Sequence, residues 1–167
     1  CSEIVFSSSA TVYGKNNIPP FKECDELNPD SPYGRTKLIF EQILKDWIKT
    51  NIKNQATILR YFNPVGAHKS GLIGEDQKEN LNNLMPYIAM VAAGKRNYLK
   101  IFGNDYSTRD GTGERDYIHI SDLARGHVKS IEKMNMLDRL NILNLGTGDG
   151  TTVLELVKTF EKVNNVK

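Results

Sequence analysis

At 167 residues the chain has the length of one domain, at about 150 residues each, and enough of it to bury a sizeable core. Lysines and arginines number 22 against 20 aspartates and glutamates, and the net charge of +2 is too small for an electrostatic grip on nucleic acid or anionic lipid; 39% hydrophobic and 25% charged residues describe an ordinary folded domain, not a disordered one. The longest apolar run, Tyr87–Ala93, falls far short of the roughly 18 residues of a membrane span, and two cysteines, Cys1 and Cys24, are too few for a disulfide framework or a closed zinc site, so a reducing cytoplasm is the expected setting.

The chain opens at Cys1 with no initiator Met or leader pattern, on residues Glu3–Phe6 that read as the last part of a strand, and the expectation is an internal piece of a larger protein. After the stop signal Asp30-Ser31-Pro32, Leu38, Ile39, Ile43, Leu44, Trp47 and Ile48 recur at helical spacing. Thr57–Phe62 reads as a buried strand ending in a loop at Asn63-Pro64-Val65-Gly66, which completes a strand–helix–strand unit of a parallel α/β sheet. His68–Asn82 is polar and loop-like, and Asn83–Ala93 predicts a helix with Pro86 in its first turn and Gly94 as its stop. Leu99–Phe102 predicts a short strand, Gly103–Gly113 a long turn, Arg115–Ile120 a strand, Asp122–Met134 a helix capped by Ser121, and Ile142–Leu145 a strand. Thr152-Val153-Leu154-Glu155 fits a capping box opening a last helix, with Val153, Leu156, Val157 and Phe160 on one face.

Tyr33-Gly34-Arg35-Thr36-Lys37 is the most informative pattern, because residues four apart share a helix face and would project the phenol and the ammonium together. A phenol titrates near 10 and a nearby cation favours its ionised form; bringing it to neutrality takes roughly 4 kcal/mol, which a fixed ammonium and a cationic cofactor would supply, making a general base. On spacing alone the pair reads more readily as a packed Tyr beside a solvated Lys. Context changes that weight: Ser7-Ser8-Ser9 places hydroxyls at the C-terminal end of the first strand, where open α/β sheets bind ligands.

Ser7–Gly14 (SSSATVYG), Ser31–Lys37 (SPYGRTK), Arg60–Ala67 (RYFNPVGA), Asn82–Tyr87 (NNLMPY) and Arg115–His119 (RDYIH) together resemble the UDP-glucose 4-epimerase family, within the extended short-chain dehydrogenases/reductases, in order and over essentially the whole chain. The resemblance implies NAD as cofactor and a UDP-hexose as substrate. Tyr33 would take the proton from the sugar 4-hydroxyl while C4 gives its hydride to NAD, leaving a 4-keto sugar that turns over and receives the hydride on its other face; Lys37 would lower the Tyr33 pKa and hold the nicotinamide ribose; Ser9 would hydrogen-bond the 4-oxygen; Phe62 would lie by the nicotinamide. Ser9, Tyr33, Lys37 and Phe62 are thus the implied cofactor contacts, and Asn63, Asn83, Leu84, Lys100, Ile101, Phe102 and Arg115 the implied sugar-nucleotide contacts, with Arg115 suited to the diphosphate. Related dehydratases carry acidic residues just after this serine; here Ala10 and Thr11 stand there, and neither can act as an acid or base, so epimerisation is favoured.

Gly146-Thr147-Gly148-Asp149-Gly150 imitates a dinucleotide loop, but Thr151 stands where a third glycine is expected and the chain ends before an acidic residue about 20 positions further on could appear, so it reads as a helix-opening turn. His68, His119 and His127 lack ligand-like company, and no metal is expected. The fold expected is α/β: residues 1–66 as the C-terminal part of a Rossmann-like doubly wound parallel sheet carrying the catalytic residues, and 67–167 as segments of a smaller substrate domain with elements returning to the sheet. The family's glycine-rich NAD fingerprint is missing, which implies an inactive chain in isolation; a truncated non-catalytic product and an epimerase for UDP-N-acetylglucosamine or UDP-xylose are the alternatives. The resemblance also implies a homodimer through the helix that follows Tyr33, whose apolar stripe is equally explained as core.

Overall fold

The computed structural model describes residues 1–75 and 83–166; residues 76–82, which close the expected polar loop and include Asn82, lie outside the described residues. In chain order the elements are β1 (Glu3–Ser9), a 3-10 turn (Ala10–Tyr13), α1 (Pro32–Thr50), β2 (Gln55–Tyr61), β3 (Asn63–Val65), α2 (Leu84–Ala92), β4 (Glu114–His119), α3 (Ile120–Lys133), a second 3-10 turn (Met134–Met136), β5 (Leu140–Leu145), β6 (Gly150–Thr152) and α4 (Val153–Asn164).

Two small sheets organise them. β1, β2 and β5 form a parallel sheet in that order, with Ser9 beside Tyr61 and Tyr61 beside Leu145 at its C-terminal end. β3, β4 and β6 form the second, β3 parallel and β6 antiparallel to β4. The expected α/β class and parallel strand–helix–strand unit are therefore present.

Side chains alternate across a strand, and this places the core. Ile4, Phe6, Ala56, Ile58, Leu140 and Ile142 meet Leu44, Trp47 and Ile48 of α1. Each large apolar side chain buried fully in such a layer contributes about 1.5–3 kcal/mol. The odd positions of the same strands face α3, which approaches so closely at Gly126 that a Cβ there would lie 2.8 Å from Leu145. Helix α1 begins where the sequence indicates: Ser31 Oγ accepts the Gly34 N–H at 3.0 Å and Pro32 takes the first helical position. Helix α2 ends in a Schellman turn at Gly94 (φ 68°), whose N–H reaches Val91 O while that of Lys95 reaches Met90 O. The capping box of Thr152 and Glu155 opens α4 as expected.

Four expectations need correction. Leu99–Phe102 forms no strand: a strand needs a hydrogen-bonding neighbour, and this stretch instead lends Leu99 and Ile101 to an apolar cavity of about 300 Å³ against α2 and α4. Asn63–Val65, read as loop because of Pro64 and Gly66, is β3, since β4 offers it a parallel partner. Gly150–Thr152 likewise pairs with Glu114–Asp116 as β6. The cap of α3 is His119, whose Nδ1 accepts the Ser121 N–H at 3.1 Å, and not Ser121 itself. No helix among the described residues is long and apolar enough to cross a membrane.

Candidate active site

Ser9 ends β1, nearly buried, with its Oγ accepting both the Thr11 N–H (3.2 Å) and the Thr11 hydroxyl (3.0 Å). A hydroxyl has two acceptor sites and one proton. With both acceptors engaged, the proton of Ser9 is left to donate to a ligand oxygen.

Tyr33 stands in the first turn of α1, 50% exposed, with a phenol that a ligand can reach. Lys37, one turn on, donates from Nζ to the Ser7 carbonyl at 2.8 Å and lies 5.5 Å from the Tyr33 ring centroid and 5.2 Å from that of Phe6. An ammonium has three donors; the Ser7 carbonyl takes one. The Ser7 side chain is fixed from the other face. His127 Nδ1–H donates to Leu123 O (2.9 Å), so its Nε2 accepts the Ser7 hydroxyl (2.7 Å). Beside Ser9 in the sheet, Tyr61 has its phenol pushed above the ordinary value by burial, and the neighbouring Tyr33 adds to the shift. Ser9, Tyr33 and Lys37 thus gather at the C-terminal ends of β1 and β2.

Phe62 follows β2, half-buried, its N–H on Leu145 O (3.1 Å) and its ring 6.4 Å from that of Phe21. The other expected ligand contacts occupy separate elements. Asn63 is exposed on β3 opposite Tyr117, and Arg115 is exposed two residues before Tyr117 on β4, donating to Glu114 O at 2.7 Å. Asn83 and Leu84 open α2, with Asn83 Nδ2 at 3.5 Å from Glu75. Lys100 and Phe102 are exposed beyond it, with Nζ 5.1 Å from the Phe102 ring, while Ile101 turns into the apolar cavity.

The glycine-rich turn after β5 is not an open anion cradle. Its Thr147 and Gly148 N–H groups donate to the Asp116 carboxylate at 2.9 Å, and Thr147 Oγ1 does so at 2.8 Å. The residues present therefore fit the ribose and nicotinamide end of a dinucleotide, through the spare donors of Lys37 and the reachable Tyr33, rather than its diphosphate.

Sequence reasoning passed over the groups beneath this site. Ser8, Glu41, Arg60 and Tyr13 form a buried polar network under Ser9 and Lys37. A signal for it exists: Arg60 is the one charged residue of a buried strand, and Glu41 falls between Lys37 and Leu44 on the inward face of the helix.

Residues 1–146 match the model of the NAD dependent epimerase/dehydratase family. The chain is 56% identical over 163 residues to a UDP-glucose 4-epimerase of Haemophilus influenzae, covering 97% of this chain and 48% of that protein. It is 56% identical over 162 residues to one of Bacillus subtilis, again with 97% and 48% covered. A crystal structure of UDP-glucose-4-epimerase from Stenotrophomonas maltophila, with bound NAD and formylated UDP-arabinopyranose, superposes with a TM-score of 0.95 at 50% identity, over 99% of this chain and 49% of that one. One from Bifidobacterium longum, in complex with NAD+ and UDP, gives 0.89 at 48% identity, with 99% and 49% covered. The chain spans about half the length of the curated relatives it matches.

Proposed function

The chain belongs to the NAD dependent epimerase/dehydratase family, and from that premise we propose that the protein carrying it inverts C4 of a UDP-hexose, interconverting UDP-glucose and UDP-galactose. The observation that carries the reading is the joint placement of Ser9, Tyr33 and Lys37 at one sheet end. Relatives named UDP-glucose 4-epimerase, and solved ones holding NAD, support it.

In this reading Tyr33 takes the proton from the sugar 4-hydroxyl while the Ser9 hydroxyl donates to the same oxygen and orients it. Lys37, anchored on Ser7 O, turns its remaining N–H donors to the nicotinamide ribose and places its charge beside the phenol. NAD, when bound, supplies the hydride acceptor and donor for C4. The 4-keto sugar turns over before reduction from its other face, and Tyr33 returns the proton. Phe62 closes one side of the nicotinamide; Asn63, Asn83, Leu84, the Lys100–Phe102 stretch and Arg115 hold the UDP-sugar, Arg115 against the diphosphate. Ala10 and Thr11 after the serine leave no acid for eliminating water, which favours epimerisation over dehydration.

Residues 1–66 act as the catalytic half of the nucleotide-binding domain, and residues 67–167 supply substrate segments together with elements, β5 among them, that return to its sheet. Because Asp116 occupies the turn amides after β5, that turn offers no cradle for the cofactor diphosphate. Two copies pair through α1, where Ile39, Phe40 and Ile43 are each about half exposed. Free cysteines suit the reducing cytoplasm.

Tyr33→Phe in the full-length protein tests the assignment. Only the base is lost, so turnover of UDP-galactose falls by about 10²–10⁴ while UDP-sugar affinity, measured by calorimetry, stays nearly unchanged. Activity within about tenfold of the parent, where general-base loss costs more, rejects the role.

A further inference from the structure

We propose that the buried Arg60–Glu41 ion pair, with Ser8, is the positioning device that sets helix α1 against the sheet so that Tyr33 and Lys37 meet Ser9; the inference rests on the reaction proposed above. Glu41 and Arg60 are 0% and 1% exposed. Glu41 Oε1 accepts from Ser8 Oγ (2.5 Å) and Arg60 Nε (3.0 Å), and Oε2 accepts from Arg60 Nη2 (2.6 Å). Arg60 Nη1 donates to the Tyr13 hydroxyl and to Glu23 O, both at 3.1 Å, and the Tyr13 hydroxyl donates to Asn144 at 2.7 Å. Burial opposes the Arg60 charge, but the hydrogen bonds to Glu41 and Tyr13 outweigh it and its pKa lies above the ordinary guanidinium value.

The guanidinium of β2 thereby links directly to α1 and the turn after β1, and through Glu41 and Tyr13 to β1 and β5. Apolar residues of the same volume would hold these elements together as well or better, because desolvating two charges consumes most of their attraction. What the planar, bidentate fork adds is direction. Leu44 against Ile58 tolerates sliding along the helix axis, whereas a carboxylate gripped at both oxygens does not. The register matters here. Glu41 lies one turn beyond Lys37 and two beyond Tyr33, and Ser8 immediately precedes Ser9. The pair therefore fixes the distance from the general base to the serine that orients the same substrate oxygen, without touching either ligand.

The test compares the full-length parent with the isosteric double variant Glu41→Leu/Arg60→Met, the charge-keeping Arg60→Lys, and Tyr33→Phe. For a folded double variant loaded with NAD we expect kcat at least tenfold lower, KM for UDP-galactose within threefold, and the acid limb of the pH–rate profile displaced, because Lys37 no longer sits beside the phenol. Parent kcat and an unmoved profile in that folded variant overturn the inference, since a purely structural role changes the melting temperature and the active fraction alone. If the double variant does not fold, Arg60→Lys, which loses the fork but keeps the charge, decides by the same readouts. Tyr33→Phe keeps the two questions apart: if it retains turnover, the proposed reaction fails, whereas an inactive Tyr33→Phe beside an unaffected double variant rejects only the positioning role.

Discussion

Gly14→Ala probes the close approach that brings the start of α1 to the sheet. Gly14 follows the 3-10 turn at φ 69°, ψ −164°, a region that is essentially glycine-only, and holding alanine there costs about 1–3 kcal/mol. Space is the second cost. A Cβ would lie 2.7 Å from the Asn28 carbonyl carbon and nearer still to its oxygen, against 3.4 Å or more for ordinary contact. The neighbour is backbone, so one segment must retreat, adding about 1–3 kcal/mol of overpacking. The total, about 2–6 kcal/mol, is a large share of the 5–15 kcal/mol that ordinarily holds a domain folded. Residues 28–31 lead directly into the Ser31 cap and Tyr33, and a misplacement of about 1 Å in a reacting group costs roughly 10²-fold in rate. Denaturant titration of the full-length protein should show the lowered midpoint, and single-turnover measurements the lowered rate. Gly94→Ala is the control: it has the same sign of φ (68°) with nothing within 4 Å, and loses only the conformational part, about 1–2 kcal/mol. If Gly14→Ala is no more damaging than Gly94→Ala, the contact with Asn28 does not set this geometry.

Lys37→Met removes the ammonium that links Ser7 O to the Tyr33 ring, and we expect a slower enzyme whose pH optimum moves upward; an unmoved optimum in the pH–rate profile removes Lys37 from the proton step. In the α4 cap, the hydrogen bonds from Arg109 and then from the Thr152 N–H hold Glu155 down to about 2 from an ordinary 4.5. A depressed carboxylate stabilises the fold above its unfolded pKa, so this contribution is complete above about pH 4.5 and is lost as pH falls through about 2. Acid titration followed by circular dichroism should therefore separate the parent from Glu155→Gln at neutral pH and bring the two together toward pH 2; parallel curves reject the coupling. Both Arg109 and Glu155 are a little under half exposed, and added salt should shrink the difference.

Much of the local architecture was legible because its causes are local. The Ser31 and Thr152 caps, the Gly94 stop and the apolar spacing of α1 each depend on residues within a turn of one another. Three of the four misread parts depend on distant partners; the α3 cap, His119 in place of Ser121, is a local contact. Leu99–Phe102 has strand composition without a neighbouring strand, while Asn63–Val65 and Gly150–Thr152 have loop composition beside β4. Asp116 closes the glycine-rich turn from another strand, which no motif within that turn could reveal.

The site divides in the same way. Tyr33 and Lys37 are four residues apart, and helical periodicity alone brings them to one face. Their relation to Ser9 crosses more than 20 residues of chain and rests on a carboxylate, a guanidinium and a serine hydroxyl contributed by α1, β2 and β1. The chain by itself determined which chemical groups are present, how the helices begin and end, and the strand–helix–strand order. Only the tertiary structure decided which backbone groups find partners across the sheets and which charge is buried against which, because those energies depend on distance in space and the sequence records only distance along the chain.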